Sequence, residues 1–420
     1  MLNLMKYIIP FLILSIVFIA GCTNYGSSVK TPLEQGEPVK PLTEQTQLPY
    51  EESETNKQET YEENYNTNAG QSNPEKPLNT FRNAPELPSE QEQQILPDCT
   101  GKIFTNTPID LSKATEITPL GNLGPPGHTF PTEHTFIHIT AGGATTETVP
   151  LYSPADSTLL LISFGHGMTQ DPVDYTLWFA LCKDVIGYYN HVKEISPELQ
   201  NVVEKNNCMF QGETKDTRCN IEAFEPIKAG SAIGKVGRLQ GNFDFGLIDL
   251  RTTLSFANPS RYGKRSLHIQ CPFNYYDNTM KESFFSLIAR TDADKCGKTA
   301  QDAPGTLKGN WFYANARADM GTDWDKYLAF VQDNKDPTTS VISIGGIFTE
   351  AGKVEFKPSS TGLINREFSQ VTPDGNIYCY EAQPSRIIVQ MTSNTEIKIE
   401  KQSGSCNGNF AFSNPKTYNR

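Results

Sequence analysis

The stretch IKAGSAIGKVGRLQGNFDFGLIDL, residues 227–250, contains two short apolar runs, Ser231–Val236 and Phe243–Leu250, separated by a glycine-containing turn. Runs of this length, rich in aliphatic and aromatic residues and bounded by turn residues, are typical of neighbouring β-strands. Similar runs precede it at Thr135–Thr140, Ser157–Ser163 and Tyr175–Ile186. The sequence therefore predicts a mostly β protein with a sheet domain over residues 98–265.

A second block of β-type runs follows a connector that we place at residues 266–304. This second block begins at Gly305 and includes the runs Val341–Phe348 and Arg386–Met391. Its first segment, GTLKGNWF at residues 305–312, is similar to the opening strand of lipocalin- and avidin-type barrels. That similarity implies a barrel over residues 305–420, with a sandwich as the alternative. Trp311 is predicted to lie in the core rather than to contact a ligand.

The charge balance excludes one class of partner and locates a tether. The 420 residues include 36 Lys and Arg against 48 Asp and Glu, for a formal net charge of -12. Because no basic surplus is present to neutralise phosphates, a nucleic-acid partner is not expected. Residues 22–97 carry 13 Glu, no Asp and only 5 Lys or Arg, with no periodic apolar pattern. This composition predicts a disordered acidic tether.

The first residues predict the compartment. Lys6 precedes an apolar run, Tyr7–Ala20, which is shorter than the ~20 residues of a membrane-spanning helix and fits a secretory signal. The run closes with IAGC at residues 19–22, which resembles the lipobox of prokaryotic lipoproteins. The resemblance implies a signal peptide over residues 1–21 and a lipid on Cys22. The chain is thus predicted to be an extracytoplasmic lipoprotein held to the membrane by that lipid.

Eight cysteines remain after Cys22, an even number that suits up to four disulfides in an exported protein. Two pairings are local enough to predict. Cys208 can reach Cys219 across a polar loop, and Cys379 can reach Cys406 near the C-terminus. The connectivity of the other four cysteines stays open.

Several segments, taken in order, resemble the lysostaphin-type (LytM-like) zinc endopeptidase fold. Together they cover about a third of the chain. They are HTFIH at 134–138, VPLYSPAD at 149–156, YNHV at 189–192, IKAGSAIGKVG at 227–237, GNFDF at 241–245 and ANP at 257–259. The glycine-rich segment at 227–237 is weak by itself, since other barrel-sandwich domains share it, and the ordered set carries the resemblance.

The resemblance also implies a metal site, with changes. The family's three zinc positions are occupied here by His134, His138 and Asp244, and its two auxiliary histidine positions by His191 and Asn242. Two metal ligands have therefore changed type and one auxiliary histidine is lost. Asn242 can donate a hydrogen bond to an oxyanion but cannot carry a proton.

These substitutions leave two interpretations open. In the first, the fold has kept its shape and lost its metal, and the domain binds or scaffolds an envelope glycan or peptide without catalysis. In the second, the His-to-Asp and Asp-to-His changes are reciprocal and restore a two-histidine, one-carboxylate set for zinc, with His191 as general base of an endopeptidase-type hydrolase. His128 could supply a further ligand in a rearranged site. The first interpretation is favoured and the second is the alternative.

Other polar residues are interpreted as structural. His268 has no partner cluster in the sequence around it. Asp171 and Asp174 flank Pro172, and we interpret them as an ordinary solvent-exposed turn.

Overall fold

The computed structural model describes residues 94–101, 103–140, 146–165, 173–206, 218–318 and 323–420, with only the backbone at Arg218. All of them belong to one compact unit, Glu75–Arg420. The predicted signal peptide, lipidated Cys22 and nearly all of the predicted tether lie outside the described residues.

The described chain contains two α-helices, α1 (Pro197–Lys205) and α2 (Asn278–Leu287), and short 3-10 turns. Ser196 and Asp277 cap the two helices by accepting hydrogen bonds from the backbone N–H groups of Leu199 and Met280. The strands are β1 (Glu116–Thr118), β2 (Thr135–His138), β3 (Val149–Tyr152), β4 (Ser157–Gly165), β5 (Asp174–Cys182), β6 (Val185–Ile195), β7 (Arg218–Ile227), β8 (Ala232–Val236), β9 (Asn242–Asp249), β10 (Ile269–Gln270), β11 (Gly309–Tyr313), β12 (Tyr327–Gln332), β13 (Ser340–Ile344), β14 (Gly352–Phe356), β15 (Tyr378–Ala382), β16 (Ser385–Ser393), β17 (Glu396–Ser403) and β18 (Lys416–Asn419).

The first sheet has ten strands in the described chain. Seven follow the order β1-β2-β9-β6-β5-β4-β7, while β10 pairs with β9, and β8 pairs with β3 and β6. All of its strand pairs are antiparallel. β9 lies between β2 and β6, so residues from these three strands meet on one face of the sheet.

The second sheet has eight strands in the order β14-β13-β12-β11-β18-β17-β16-β15 and is nearly closed into a barrel. Trp311 on β11 is fully buried in its core, as predicted. The guanidinium of Arg420 lies 4.0 Å from the centre of the Trp311 ring and donates to the backbone oxygens of Lys308 and Thr306. The last residue of the chain thus covers one end of the barrel core.

The predicted fold class, mostly β, is confirmed. One predicted run is resolved differently: Tyr175–Ile186 is not a single strand but a hairpin, in which Lys183 and Asp184 form the turn between β5 and β6. The turn escaped prediction for two reasons. Both strands are buried on both faces, so the sequence does not alternate, and a charged pair replaces the usual glycine or asparagine.

Three disulfides are present in the described chain, Cys99–Cys182, Cys271–Cys296 and Cys379–Cys406. The last confirms a predicted pair, and the first two fill part of the connectivity left open. The predicted partner of Cys219, Cys208, lies outside the described residues. Three disulfides fit an oxidising, extracytoplasmic compartment. None of the helices in the described ranges has the length and apolar character needed to cross a membrane.

A small apolar cluster joins the two sheets. It contains Phe256 and Tyr262 from the segment after β9, and Phe312 and Tyr327 from β11 and β12. Asn310 donates a hydrogen bond to the Tyr262 hydroxyl over 3.1 Å, and both residues are buried. Side chains from both sheets therefore share one buried contact.

Candidate functional site

His134, which directly precedes β2, and His138 at the end of β2 lie at the same face of the first sheet, as their spacing predicts, but they do not meet. Side chains alternate along a strand, so Phe136 lies on that face between the two histidines. Its ring centre is 4.8 Å from that of His134 and 6.5 Å from that of His138. The Phe136 ring therefore separates the two predicted metal ligands.

Asp244 on β9 is the centre of the candidate site. Phe136 on β2 and Asn190 on β6 lie directly opposite it in the sheet. Its side chain is 3 % exposed, and its Oδ2 atom lies 3.3 Å from His134 Nε2 and 3.4 Å from His191 Nε2. Asn190 Nδ2 donates to the same oxygen over 3.1 Å. Three nitrogen atoms, one from the residue that precedes β2 and two from β6, thus surround one carboxylate oxygen.

His191 is held in an uncommon backbone conformation. Its φ is +62°, in the left-handed region, and the pairing of β6 with β5 shifts between Tyr189 and Val192. Bulges of this kind re-aim side chains, and they are frequent beside functional sites. His191 Nδ1 lies 2.9 Å from Asp174 Oδ2, while its Nε2 faces Asp244. The bulge and Asp174 together orient the ring toward Asp244.

His128 reaches the same region from a tight turn. The backbone N–H and C=O groups of Gly124 and His128 bond to each other across this turn, over 2.9 and 3.0 Å. The His128 and His134 ring centres are 5.7 Å apart. Part of the residue is exposed, but crowding by protein atoms around the ring, followed by repulsion from His134, lowers the pKa of His128 to about 4. His128 is therefore neutral at neutral pH.

Two predicted site residues have other partners. The Nε2 atom of His138 lies 2.9 Å from the hydroxyl of Thr118 on β1, and burial lowers the pKa of His138. Asn242 lies opposite His138 in the sheet, and its side-chain oxygen accepts a hydrogen bond from Gln240 over 2.8 Å. These contacts hold both residues on the far side of Phe136 from His134.

The structure thus brings together His134, His191 and Asp244 from the predicted set, and His128 lies beside them. We call His134, Asp174, Asn190, His191 and Asp244 the histidine–aspartate cluster. Asp174, which the sequence analysis placed in a solvent-exposed turn, is 6 % exposed and contacts His191. That interpretation was wrong, because β4 and β6 cover the start of β5 on both sides. Asn190 was also missed, although its position next to His191 was a signal.

The donor atoms of the cluster suit a metal ion only in part. His134 Nε2 and Asp244 Oδ1 are buried and make no hydrogen bond to any described residue. The separations of 3.3 and 3.4 Å also match the distance of about 3.3 Å between adjacent ligands around tetrahedral zinc. Even so, among the described residues no three His, Cys, Asp or Glu side chains form, as they stand, a set that could hold a metal.

A cavity of about 200 Å³ opens beside His134. Its walls come from β11 and β12 of the second sheet and from connecting segments, chiefly those before β2 and after β9 in the first sheet. We call it the aromatic cavity, because five of its lining side chains are Phe130, Phe256, Tyr262, Trp324 and Tyr327. His134 therefore belongs both to the histidine–aspartate cluster and to the lining of an open cavity.

No protein-family model, no curated protein and no solved structure matches the chain. The fold and the site define its class in physical terms: a mostly β, disulfide-bonded protein of two sheets, with a histidine–aspartate cluster beside a cavity.

Proposed function

We propose that the protein is an extracytoplasmic binding protein, anchored to the membrane by a lipid on Cys22. Its central domain is a divergent, non-catalytic lysostaphin-like domain that binds an envelope glycan or peptide. The observation that carries the proposal is the aromatic cavity beside His134, since concave sites with aromatic walls and a few convergent polar groups are the usual form of ligand sites. The separation of His138 from His134 by Phe136 supports binding rather than metal chemistry.

A second function, a zinc-dependent hydrolase of the endopeptidase type, is favoured by one specific observation. The geometry of His191 resembles that of a metal-binding histidine: one ring nitrogen contacts the Asp174 carboxylate, which orients the ring, and the other faces Asp244. His134 Nε2 lies beside the same oxygen of Asp244. Zinc would supply a polarised water there. The protein set would then be His134, His191 and Asp244, and not His134, His138 and Asp244.

One set of variants tests both functions in the purified full chain. Titration calorimetry measures the binding of peptidoglycan fragments, glycan or peptide, and mass spectrometry of the same samples reports cleavage. We expect binding without cleavage, weakened at least about tenfold by His134→Ala because a central contact is lost. The matched control is His138→Ala on the same strand, which should bind as the wild type does.

Metal content separates the two functions. One zinc per chain that persists in His138→Ala and disappears in His191→Ala, together with cleavage, would establish the hydrolase and refute the non-catalytic proposal. Absence of binding to any fragment by the wild-type protein would refute the proposal as well.

A further inference from the structure

The aromatic cavity has the size of one small group. An apolar cavity of about 150 Å³ is enough to hold benzene, so about 200 Å³ accommodates a single ring or a group of similar size. Phe256, Tyr262 and Tyr327 are buried around it, whereas Trp324 is 49 % exposed. An entering group would therefore meet aromatic surfaces from β12 and from the connecting segments.

Among the described residues, the lining of the cavity carries a single acidic side chain and no Lys or Arg. Glu133 lines it, and within the described part of the chain neither Lys nor Arg does. Glu133 also has no salt bridge or side-chain hydrogen bond to any described residue. Burial is the main cause of the raised pKa values of Tyr188 and Tyr262, and the charge of Glu133 adds to both, for Tyr262 after that of Asp302. An uncompensated carboxylate therefore lies at the cavity.

Nearby basic residues are engaged elsewhere. Lys326 Nζ lies 2.6 Å from Asp323, and the Arg261 guanidinium donates to the backbone oxygens of Ala314 and Ala316. Arg420, whose charge also acts on Tyr262, packs against the Trp311 ring in the barrel core. The faces of aromatic rings carry negative electrostatic potential and attract cations. The cavity lining thus combines several such rings with one carboxylate, and neither Lys nor Arg of the described chain is part of it.

We infer that the aromatic cavity binds a small organic cation, an alkylammonium group such as the amine of an envelope peptide. The inference rests on the proposed binding function and narrows its ligand to a chemical class. Removing an ammonium group from water is costly, and here Glu133 and the aromatic faces would replace that hydration. A group bearing a phosphate or carboxylate would instead be repelled by Glu133.

The experiment uses three probes on the purified full chain. Choline and tetramethylammonium carry the cation, and 3,3-dimethyl-1-butanol has the shape of choline without its charge. Titration calorimetry should show choline and tetramethylammonium binding at least about tenfold more tightly than the alcohol, because the cation–aromatic attraction is absent for the alcohol. Equal binding of choline and the alcohol, or no binding of either cation, would overturn the inference.

Two variants assign the binding to this cavity. Trp324→Leu removes an exposed ring, and Glu133→Gln removes the charge while it keeps the shape. Each should weaken choline binding several-fold. The matched controls are Phe224→Leu, which removes another exposed ring, and Glu350→Gln on an exposed turn, and both should bind as the wild type does. Unchanged choline affinity in Trp324→Leu and Glu133→Gln would refute the site.

Peptidoglycan fragments distinguish this inference from the proposed function. If choline binds as expected but no fragment binds, the cation site stands and the envelope-binding function fails. If fragments bind through His134 but neither cation binds, the proposed function stands and the cation inference fails.

Discussion

His191 shows at the scale of one residue how backbone and side chain act together. A non-glycine residue with φ of +62° is uncommon and costs free energy unless its surroundings fix it. Here Asp174 contacts Nδ1 and the bulge in β6 turns the ring toward Asp244. The same residue on a regular strand would place its ring elsewhere, so the bulge is part of the candidate site.

Asp249 offers a residue-scale prediction away from that site. Burial by itself raises the pKa of Asp249, but hydrogen bonds from Arg251 at 2.8 and 2.7 Å and from Tyr275 at 2.6 Å outweigh it and lower the pKa. Asp249→Asn should therefore lower the free energy of unfolding by about 2–3 kcal/mol, as measured by urea denaturation at neutral pH.

The pH dependence of that effect has a definite sign. A carboxyl whose pKa is lower in the folded than in the unfolded state stabilises the fold above its ordinary pKa of about 3.9. The stabilisation is lost as the pH falls through the lowered value. Asp249→Asn should remove this acid-dependent part, whereas Asp98→Asn, at an exposed ion pair with Lys183, should leave stability unchanged. Equal stability of Asp249→Asn and wild type across this range would contradict the assignment.

At the scale of elements, a close contact between strands explains the glycine inside β9. Gly246 lies opposite Tyr188 in the sheet, and a Cβ atom added to Gly246 would lie 2.0 Å from the Tyr188 ring. The Tyr188 ring packs instead against Trp178, with ring centres 4.2 Å apart. The glycine therefore gives the Tyr188 ring room to lie across β9.

The Cys379–Cys406 disulfide joins β15 to the turn that follows β17. Its two cysteines are 27 residues apart and buried against Ile388. Because the bond restricts the unfolded chain, the double variant Cys379→Ala/Cys406→Ala should lower the free energy of unfolding by about 2–4 kcal/mol, measured by urea denaturation.

Asn407→Ala, in the same turn but exposed, is the control for that variant and should keep wild-type stability. Mass spectrometry without reduction checks the bond itself. Free, alkylatable thiols at both Cys379 and Cys406 in the native protein would contradict the pairing.

At the scale of the whole molecule, the contact between the sheets is part of the stability of both. Asn310 on β11 is 3 % exposed and donates a hydrogen bond to the hydroxyl of Tyr262. Tyr262 lies in the segment between β9 and β10 of the first sheet. Tyr262→Phe keeps the ring and leaves the Asn310 amide without this acceptor. We expect a loss of about 1–3 kcal/mol in the free energy of unfolding, from thermal and urea denaturation.

The matched control is Tyr313→Phe, which changes a half-buried tyrosine on β11, the strand of Asn310. This variant should have little effect on the free energy of unfolding. A Tyr262→Phe variant as stable as the wild type would show that the hydrogen bond between the sheets contributes nothing.

The sequence by itself determined the β class, the positions of many of the strands along the chain, the core position of Trp311 and one disulfide. These follow from local information: apolar runs, turn residues and an even cysteine count. It also named His134, His191 and Asp244, through a resemblance that stays a prediction. Only the tertiary structure decided which of these side chains meet. Spacing places His134 and His138 on one face, with Phe136 between them. Which residue each histidine contacts, Asp244 or Thr118, depends on the neighbouring strands. Asp174 became buried for the same reason, since strands distant in sequence cover it, and no local pattern records that pairing.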